Sequence, residues 1–233
     1  MRVAVLISGG KDSALALHRV LQQGVDVEYL VTMTPLRDDS WMFHYPNLFL
    51  TSLFAEAAGI PLKQGKTTGI KEEEVADLKR VLASLNIEGV VSGAVASEYQ
   101  KSRIERICTE LSLRSITPLW KESPLRLLRE LVDSGFRTVI TGVYAHGFDR
   151  PWLGREIDEA AIGALIRLSQ EHGISPIGEG GEYESLVLDA PYFMKEIELL
   201  ETETEWENQR GTLWVRKARL SDKHTVQRTA GNS

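Results

Sequence analysis

Short, continuous apolar runs alternate along this chain with longer segments of helical periodicity. Val3 to Ile7 is apolar throughout and leads straight into Ser-Gly-Gly, the pattern of a central strand buried on both faces. Ser13 to Gln23 follows with Leu17, Val20 and Leu21 at helical spacing, and Gly24 stands where a helix would end. The alternation continues with a strand near Val27 to Thr32, a helix near Asn47 to Ala58 stopped by Gly59-Ile60-Pro61, and a strand near Leu62 to Lys66. A charged amphipathic helix over Ile70 to Asn86 leads to a strand at Gly89 to Gly93 and a helix over Ser97 to Leu113; a helix over Pro124 to Ser134 precedes a strand at Arg137 to Val143. Such alternation predicts crossovers and a parallel sheet. The expected fold is α/β: a doubly wound, five-stranded parallel sheet over residues 1–143, with Arg137 to Val143 as its fifth strand.

After Val143 the texture changes. Glycines and aromatics (Gly147, Trp152, Gly154), a helix over Asp158 to His172 and the segment Gly178 to Glu184 point to a smaller C-terminal α+β subdomain over 144–221. Within it, Met194 to Glu207 and Thr212 to Leu220 read as an antiparallel pair around a Gly-containing loop, Asn208 to Gly211. The polar tail 222–233 is expected to be flexible.

Composition narrows the function classes. With 42% hydrophobic and 26% charged residues in 233, the chain is globular rather than disordered or fibrous. A net charge of -6 argues against an extended nucleic-acid surface, which needs clustered Lys and Arg. One cysteine, Cys108, excludes an internal disulfide, a zinc cluster and a paired-thiol redox site, and points to a cytosolic protein. Its mid-helix place suits a buried filler. The apolar N-terminal run is too brief for a signal peptide or membrane span, and nothing else reaches membrane length.

The first strand-helix junction, Ser8-Gly9-Gly10-Lys11-Asp12-Ser13, is an anion site in the making. Glycines let backbone N–H groups converge, the helix N-terminus adds positive potential, and Lys11 adds a full charge. The spacing fits neither a Walker A loop nor the Rossmann glycine fingerprint. It matches the pyrophosphate loop of the N-type ATP pyrophosphatases, and so resembles that superfamily and its adenine nucleotide hydrolase-like fold. The resemblance implies that ATP is cleaved to AMP and pyrophosphate, with Ser8, Gly9, Gly10, Lys11, Asp12 and Ser13 on the phosphates. Lys11, Asp12 and Ser13 would be catalytic, and Asp12 would orient Mg2+.

Further along lie Met42-Phe43-His44 with Pro46-Asn47, Gly93-Ala94 with Ser97-Glu98-Tyr99-Gln100 and Arg103, Trp152-Leu153-Gly154-Arg155, and Gly178 to Pro191. Together with the loop they resemble, nearly end to end, the diphthine-ammonia ligase family in its short archaeal form, without the C-terminal extensions of eukaryotic relatives. That resemblance implies ATP-dependent amidation of diphthine on translation elongation factor 2 with ammonium, through an acyl-adenylate that needs no enzyme nucleophile. Homo-oligomers are compatible with it.

Site assignments follow from the same resemblance. Thr32 and Met33, at the end of the second strand, would meet adenine, and Gly93 and Ala94 would complete the nucleotide site. His44, in a loop long enough to act as a lid, would reach substrate, with Ser97, Tyr99, Gln100 and Arg103 from the helix after the fourth strand. Tyr99 and Arg103 are four apart and share a face, suited to stacking and to binding an anion. Arg155 would hold a carboxylate or the AMP phosphate. Glu179, Glu182 and Glu184 supply carboxylates for magnesium, ammonium or the trimethylammonium group of diphthine, which Tyr183 or Trp152 would receive on an aromatic face. Two other functions compete: a tRNA-modifying enzyme using the same loop, disfavoured by the acidic charge and lone cysteine, and a non-catalytic ATP-binding module related by fold, disfavoured by the complete loop with its separate glutamate segment.

Overall fold

The computed structural model describes residues 1–35, 47, 50–67 and 71–223. The expected lid, His44 and most of the polar tail lie outside the described residues.

Five parallel strands, β1 (Arg2–Leu6), β2 (Asp26–Pro35), β3 (Leu62–Thr67), β4 (Gly89–Val91) and β5 (Arg114–Ile116), form one sheet in the order β3-β2-β1-β4-β5. Successive side chains of a strand point to opposite faces, and β1 shows what that does here. Val3, Val5 and Ile7 pack with α1 (Lys11–Gln22) and α2 (Thr51–Ala58). Ala4 packs on the other side with Val75, Leu78 and Leu82 of α3 (Lys71–Ala83) and Ile104 and Ile107 of α4 (Glu98–Glu110). The sheet is doubly wound, as the alternation predicted. Cys108 belongs to the second core, where burial pushes its thiol up to about 11, as a filler residue should behave.

One strand assignment is corrected. Arg137–Val143 is β6, and it belongs to a second, antiparallel sheet with β7 (Tyr183–Asp189), β8 (Glu196–Glu207) and β9 (Arg210–Ser221), in the order β7-β6-β9-β8. The fifth parallel strand is β5, only Arg114-Ser115-Ile116 and partly exposed. β6 is almost wholly buried because it lies inside its sheet and faces the shared core. An apolar run carries no label of parallel or antiparallel pairing. The change of sheet therefore falls between Ile116 and Arg137, ahead of residue 143.

Element ends also shift for visible reasons. Asn47 does not start α2; its backbone takes a left-handed turn (φ 66) and its amide clamps β9, donating to Leu213 O at 2.8 Å and accepting from Val215 N at 2.7 Å. The β8–β9 hairpin turns on Asn208 and Gln209 alone, at φ 49 and 60, and Gly211 is already inside the strand. Among the described residues no helix is long and apolar enough to cross a membrane.

The antiparallel sheet, with α5 (Pro124–Asp133) and α6 (Glu159–His172), packs on the α1–α2 side, so one apolar core runs from Val5 through Leu17 to Ile140 and Leu186. A polar clamp spans the same seam. Arg19 of α1 donates to both carboxylate oxygens of Glu130 on α5, at 2.8 and 2.5 Å, and to Pro118 O at 2.6 Å. The Arg19 guanidinium holds the Glu130 carboxyl below its ordinary value, mainly through these hydrogen bonds. Glu130→Gln is expected to cost about 2 kcal/mol at neutral pH. Because the folded-state pKa is depressed, that contribution is present above the unfolded value and disappears as pH falls through the folded one. Thermal unfolding of both proteins should show a gap at pH 7 that closes in acid.

Candidate active site

Between β1 and β4 the strand order of the parallel sheet reverses, and ligands of such sheets bind in the crevice beyond the carboxyl ends at that point. A cleft of about 310 Å³ opens there, walled by Leu6–Ser8 after β1, Val31–Met33 of β2 and Ser92–Val95 after β4. The antiparallel sheet supplies the remaining wall with Tyr183, Glu184 and Ser185, and the loop before it adds Gly178, Glu179 and Gly181.

The phosphate loop forms the floor. Gly9 makes its bend at φ 86, a conformation closed to most side chains. Gly10 caps α1 from an extended conformation, and the first-turn N–H groups of a helix have no partners within it. Ser13 shapes the loop from inside: its hydroxyl donates to Gly10 O at 3.0 Å, accepts from Ser8 N at 3.3 Å and lies 3.3 Å from Ser8 Oγ. Lys11 is 4% exposed, with Nζ 2.8 Å from Asp12 Oδ2 and 5.0 Å from the centre of the Tyr183 ring. A buried ammonium held between a carboxylate and an aromatic face sits beside the converging N–H groups, which is a receptor for a polyanion.

Gly93 explains itself by contact. A Cβ there would stand 2.7 Å from the backbone of Asp12 and Ser13, so the end of β4 closes on the loop only because the side chain is missing. Ala94 is buried beside it and Ser92 Oγ is buried without a hydrogen-bond partner among the described residues. Thr32 and Met33 are buried and line the cleft; Met33 also packs against Gly65.

The glutamates divide. Glu179 accepts from the Ala96 N–H and so ties the glycine-rich loop to the segment after β4; burial holds its carboxyl above the ordinary range. Glu182 turns away, accepting from Ser175 N at 2.9 Å. Glu184 lines the cleft, and burial pushes its carboxyl up to about 8. Tyr183 is fully buried, donates to Pro176 O at 2.9 Å, and is itself pushed far above the usual phenol value by burial.

Five further expected site residues, Ser97, Tyr99, Arg103, Trp152 and Arg155, stand elsewhere. Ser97 is the N-cap of α4, accepting from Gln100 N at 3.3 Å. Tyr99 and Arg103 share a face as expected but meet each other, with the guanidinium 3.4 Å from the ring centre. On α4 it is Gln100 and Ile104 that line the cleft. Trp152 is buried in the core, 5.2 Å from Phe148, with Arg155 stacked on it at 4.4 Å, and neither lines the cleft. Of the two rings expected to receive a trimethylammonium group, Tyr183 lines the cleft with Lys11 over its face and Trp152 lies off it.

Ser185 was not singled out by the sequence. Its hydroxyl accepts from Lys11 N at 3.2 Å across 174 positions of chain, a contact that no local pattern signals.

A doubly wound sheet with a lysine-bearing, glycine-rich loop at its switch point defines an α/β protein that presents an anion site beyond the carboxyl ends of its strands. Residues 1–115 match the model of the diphthamide synthase N-terminal domain and residues 123–221 that of the diphthamide synthase C-terminal domain, and the chain belongs to the diphthamide synthase family. The gap between the two matches, 116–122, falls where the chain leaves the parallel sheet. A human protein named diphthine-ammonia ligase is 34% identical over 220 residues, covering 84% of this chain and 82% of its own. The zebrafish (Danio rerio) protein of that name is 33% identical over 251 residues, covering 98% of each. The Schizosaccharomyces pombe one is 36% identical over 223 residues, covering 87% of this chain but 37% of its own. Extra length is therefore a feature of the fission yeast relative and not of every eukaryotic one.

Burial of Glu184 has a measurable consequence. Its folded-state pKa, about 8, lies above the ordinary carboxyl value of 4.5, so between those values the folded protein holds a proton that the unfolded chain releases. Stability falls as pH rises through this window. Glu184→Gln does not titrate there, and its melting temperature should exceed that of the wild type increasingly from pH 5 to pH 9, by up to about 4 kcal/mol in stability. A constant difference across that range would show that Glu184 is not held protonated by the fold.

Proposed function

We propose that this chain amidates diphthine on translation elongation factor 2, using ATP and ammonium and releasing AMP and pyrophosphate. The observation that carries the reading is the meeting, in one cleft of a diphthamide synthase family member, of the phosphate loop with the wall Tyr183–Ser185.

The loop's N–H groups and Lys11 bind the β and γ phosphates, so the pyrophosphate leaving group is stabilised where its charge grows. Adenine lies toward Thr32 and Met33, and Gly93 and Ala94 admit the nucleotide close to the backbone. The α phosphorus then faces the wall of β7. The diphthine carboxylate attacks it, the bond to pyrophosphate breaks, and the resulting acyl-adenylate yields the amide when ammonia displaces AMP.

Among the described residues no three His, Cys, Asp or Glu side chains are grouped to hold a metal ion. That suits magnesium brought by ATP, since this ion is commonly held by substrate phosphates and one or two carboxylates. Asp12, beside the loop and 34% exposed at its side chain, is the residue to hold it. The ion would offset the charge gathering on pyrophosphate.

The test uses ATP, ammonium and elongation factor 2 with or without diphthine. AMP and pyrophosphate should appear only with the diphthine form, together with the mass shift of amide formation. Lys11→Ala should slow turnover by at least about 100-fold. ADP as product, or AMP formed equally with both factors, would sink the assignment.

A further inference from the structure

Three carboxyl groups border the cleft, and two are engaged: Asp12 by Lys11 and Glu179 by the Ala96 N–H. Glu184 is different. Its Oε2 is closed off from solvent and meets no hydrogen-bond donor among the described residues. A buried carboxyl oxygen without a donor costs free energy, so its retention in this cleft calls for a visitor that donates.

The surroundings suit a small cation. In the ladder Glu184 stands opposite Gly142, a position with no side chain, and the phenol of Tyr144 occupies the space over it. Tyr144 Oη lies 3.2 Å from Thr212 Oγ1. Burial first, and then the nearby Glu184 carboxylate, push the Tyr144 hydroxyl up to about 12, so it stays neutral and keeps oxygen lone pairs. Tyr183 and Ser185, the neighbours of Glu184 in β7, are the residues that meet Lys11 at the phosphate loop. The acceptor thus stands one residue from the side chains that hold the anion-binding turn.

We propose that Glu184 binds ammonium and takes its proton, freeing ammonia beside the activated carboxyl; this rests on the ligase reading above. The steps balance. As ammonium binds, the proton that Glu184 carries at neutral pH passes to water, and ammonium then gives one of its own to the carboxylate. The nitrogen lone pair forms the C–N bond at the acyl-adenylate carbonyl, the carbon–oxygen bond to AMP breaks with its electron pair going to the phosphate, and a second nitrogen proton passes to that phosphate or to water. Burial makes the transfer feasible: a carboxyl raised to about 8 is far closer to an amine in basicity than an exposed one, and an adjacent cation favours its ionised form.

Hydroxylamine separates proton removal from everything else, because it is an unprotonated nitrogen nucleophile at neutral pH. With diphthine-bearing elongation factor 2, three rates are compared for the wild type, Glu184→Gln and Glu184→Asp: pyrophosphate exchange into ATP, amide from ammonium, and hydroxamate from hydroxylamine. Glu184→Gln should lose amide formation by about 100-fold or more, within the usual range for a general base, while exchange and hydroxamate formation fall far less. Glu184→Asp should recover part of the amide rate. Amide formation at the wild-type rate in Glu184→Gln would overturn the proposal, and so would parallel loss of all three activities, which would place Glu184 in adenylation or folding. If the wild type itself shows no diphthine-dependent exchange, the ligase reading fails and takes this proposal with it.

Discussion

The seam between α1 and β7 is the constraint on which the site depends. Lys11 N–H donates to Ser185 Oγ, Val187 N–H donates to Gly9 O at 2.9 Å, and Leu186 packs on Gly9. The phosphate loop is therefore pinned along the edge of the antiparallel sheet while its own helix belongs to the parallel one. A glycine-rich turn alone has many conformations and a large entropy to lose. Fixed from both sides, its N–H groups converge before any ligand arrives, and the binding free energy is not consumed in ordering it. Gly93 closes the third side by admitting the backbone of Asp12 and Ser13.

Charge is partitioned around that seam. On the floor, Lys11 and the α1 N-terminus are positive, a polarity suited to phosphate. On the wall, Glu179 and Glu184 are carboxyls whose burial raises their pKa, so they repel a polyphosphate less than exposed carboxylates would. Acidic groups beside an anion site are tolerable for that reason, and burial brings Glu184, at about 8, within reach of proton exchange near neutrality. The arrangement separates a region for the leaving group from one for proton transfer within a single cleft.

Much of this was legible in the sequence because it is local. The run Val3–Ile7, the loop at 8–13 and the helix after it are one continuous segment, and the physics of a strand feeding a glycine turn into a helix needs no distant partner. Helices α3, α4 and α6 were visible from periodicity, and Ser97 and Asp158 stand at their N-caps for α4 and α6. What was hidden depends on partners far along the chain. β5 has three residues and half-exposed side chains, so it carries no pattern. β6 looks parallel because burial, not pairing direction, sets its composition. Trp152 looked like a receptor because an aromatic in a glycine-rich stretch is ambiguous; only the packing of Phe148 on one side and Arg155 on the other shows it to be core. Ser185 and Glu184 were within a recognisable segment, yet their different duties follow from strand alternation and from what lies across the ladder.

The two-sheet construction also explains why the elements that line the cleft lie so far apart in sequence. The family's two domains match 1–115 and 123–221, but neither holds a complete cleft. The first lacks Tyr183 behind Lys11, leaving a buried ammonium with only Asp12 beside it. The second lacks the loop and leaves the β7 edge with no partner for Val187 N–H. Each half leaves polar groups that only the other satisfies, and the apolar core is continuous across the joint. The clamp of Arg19 on Glu130 adds a charged contact to the same joint. Separation of the halves would thus expose core and strand edge together, which makes a closed cleft the low-energy state of the chain and ties the geometry of the phosphate loop to the stability of the whole fold.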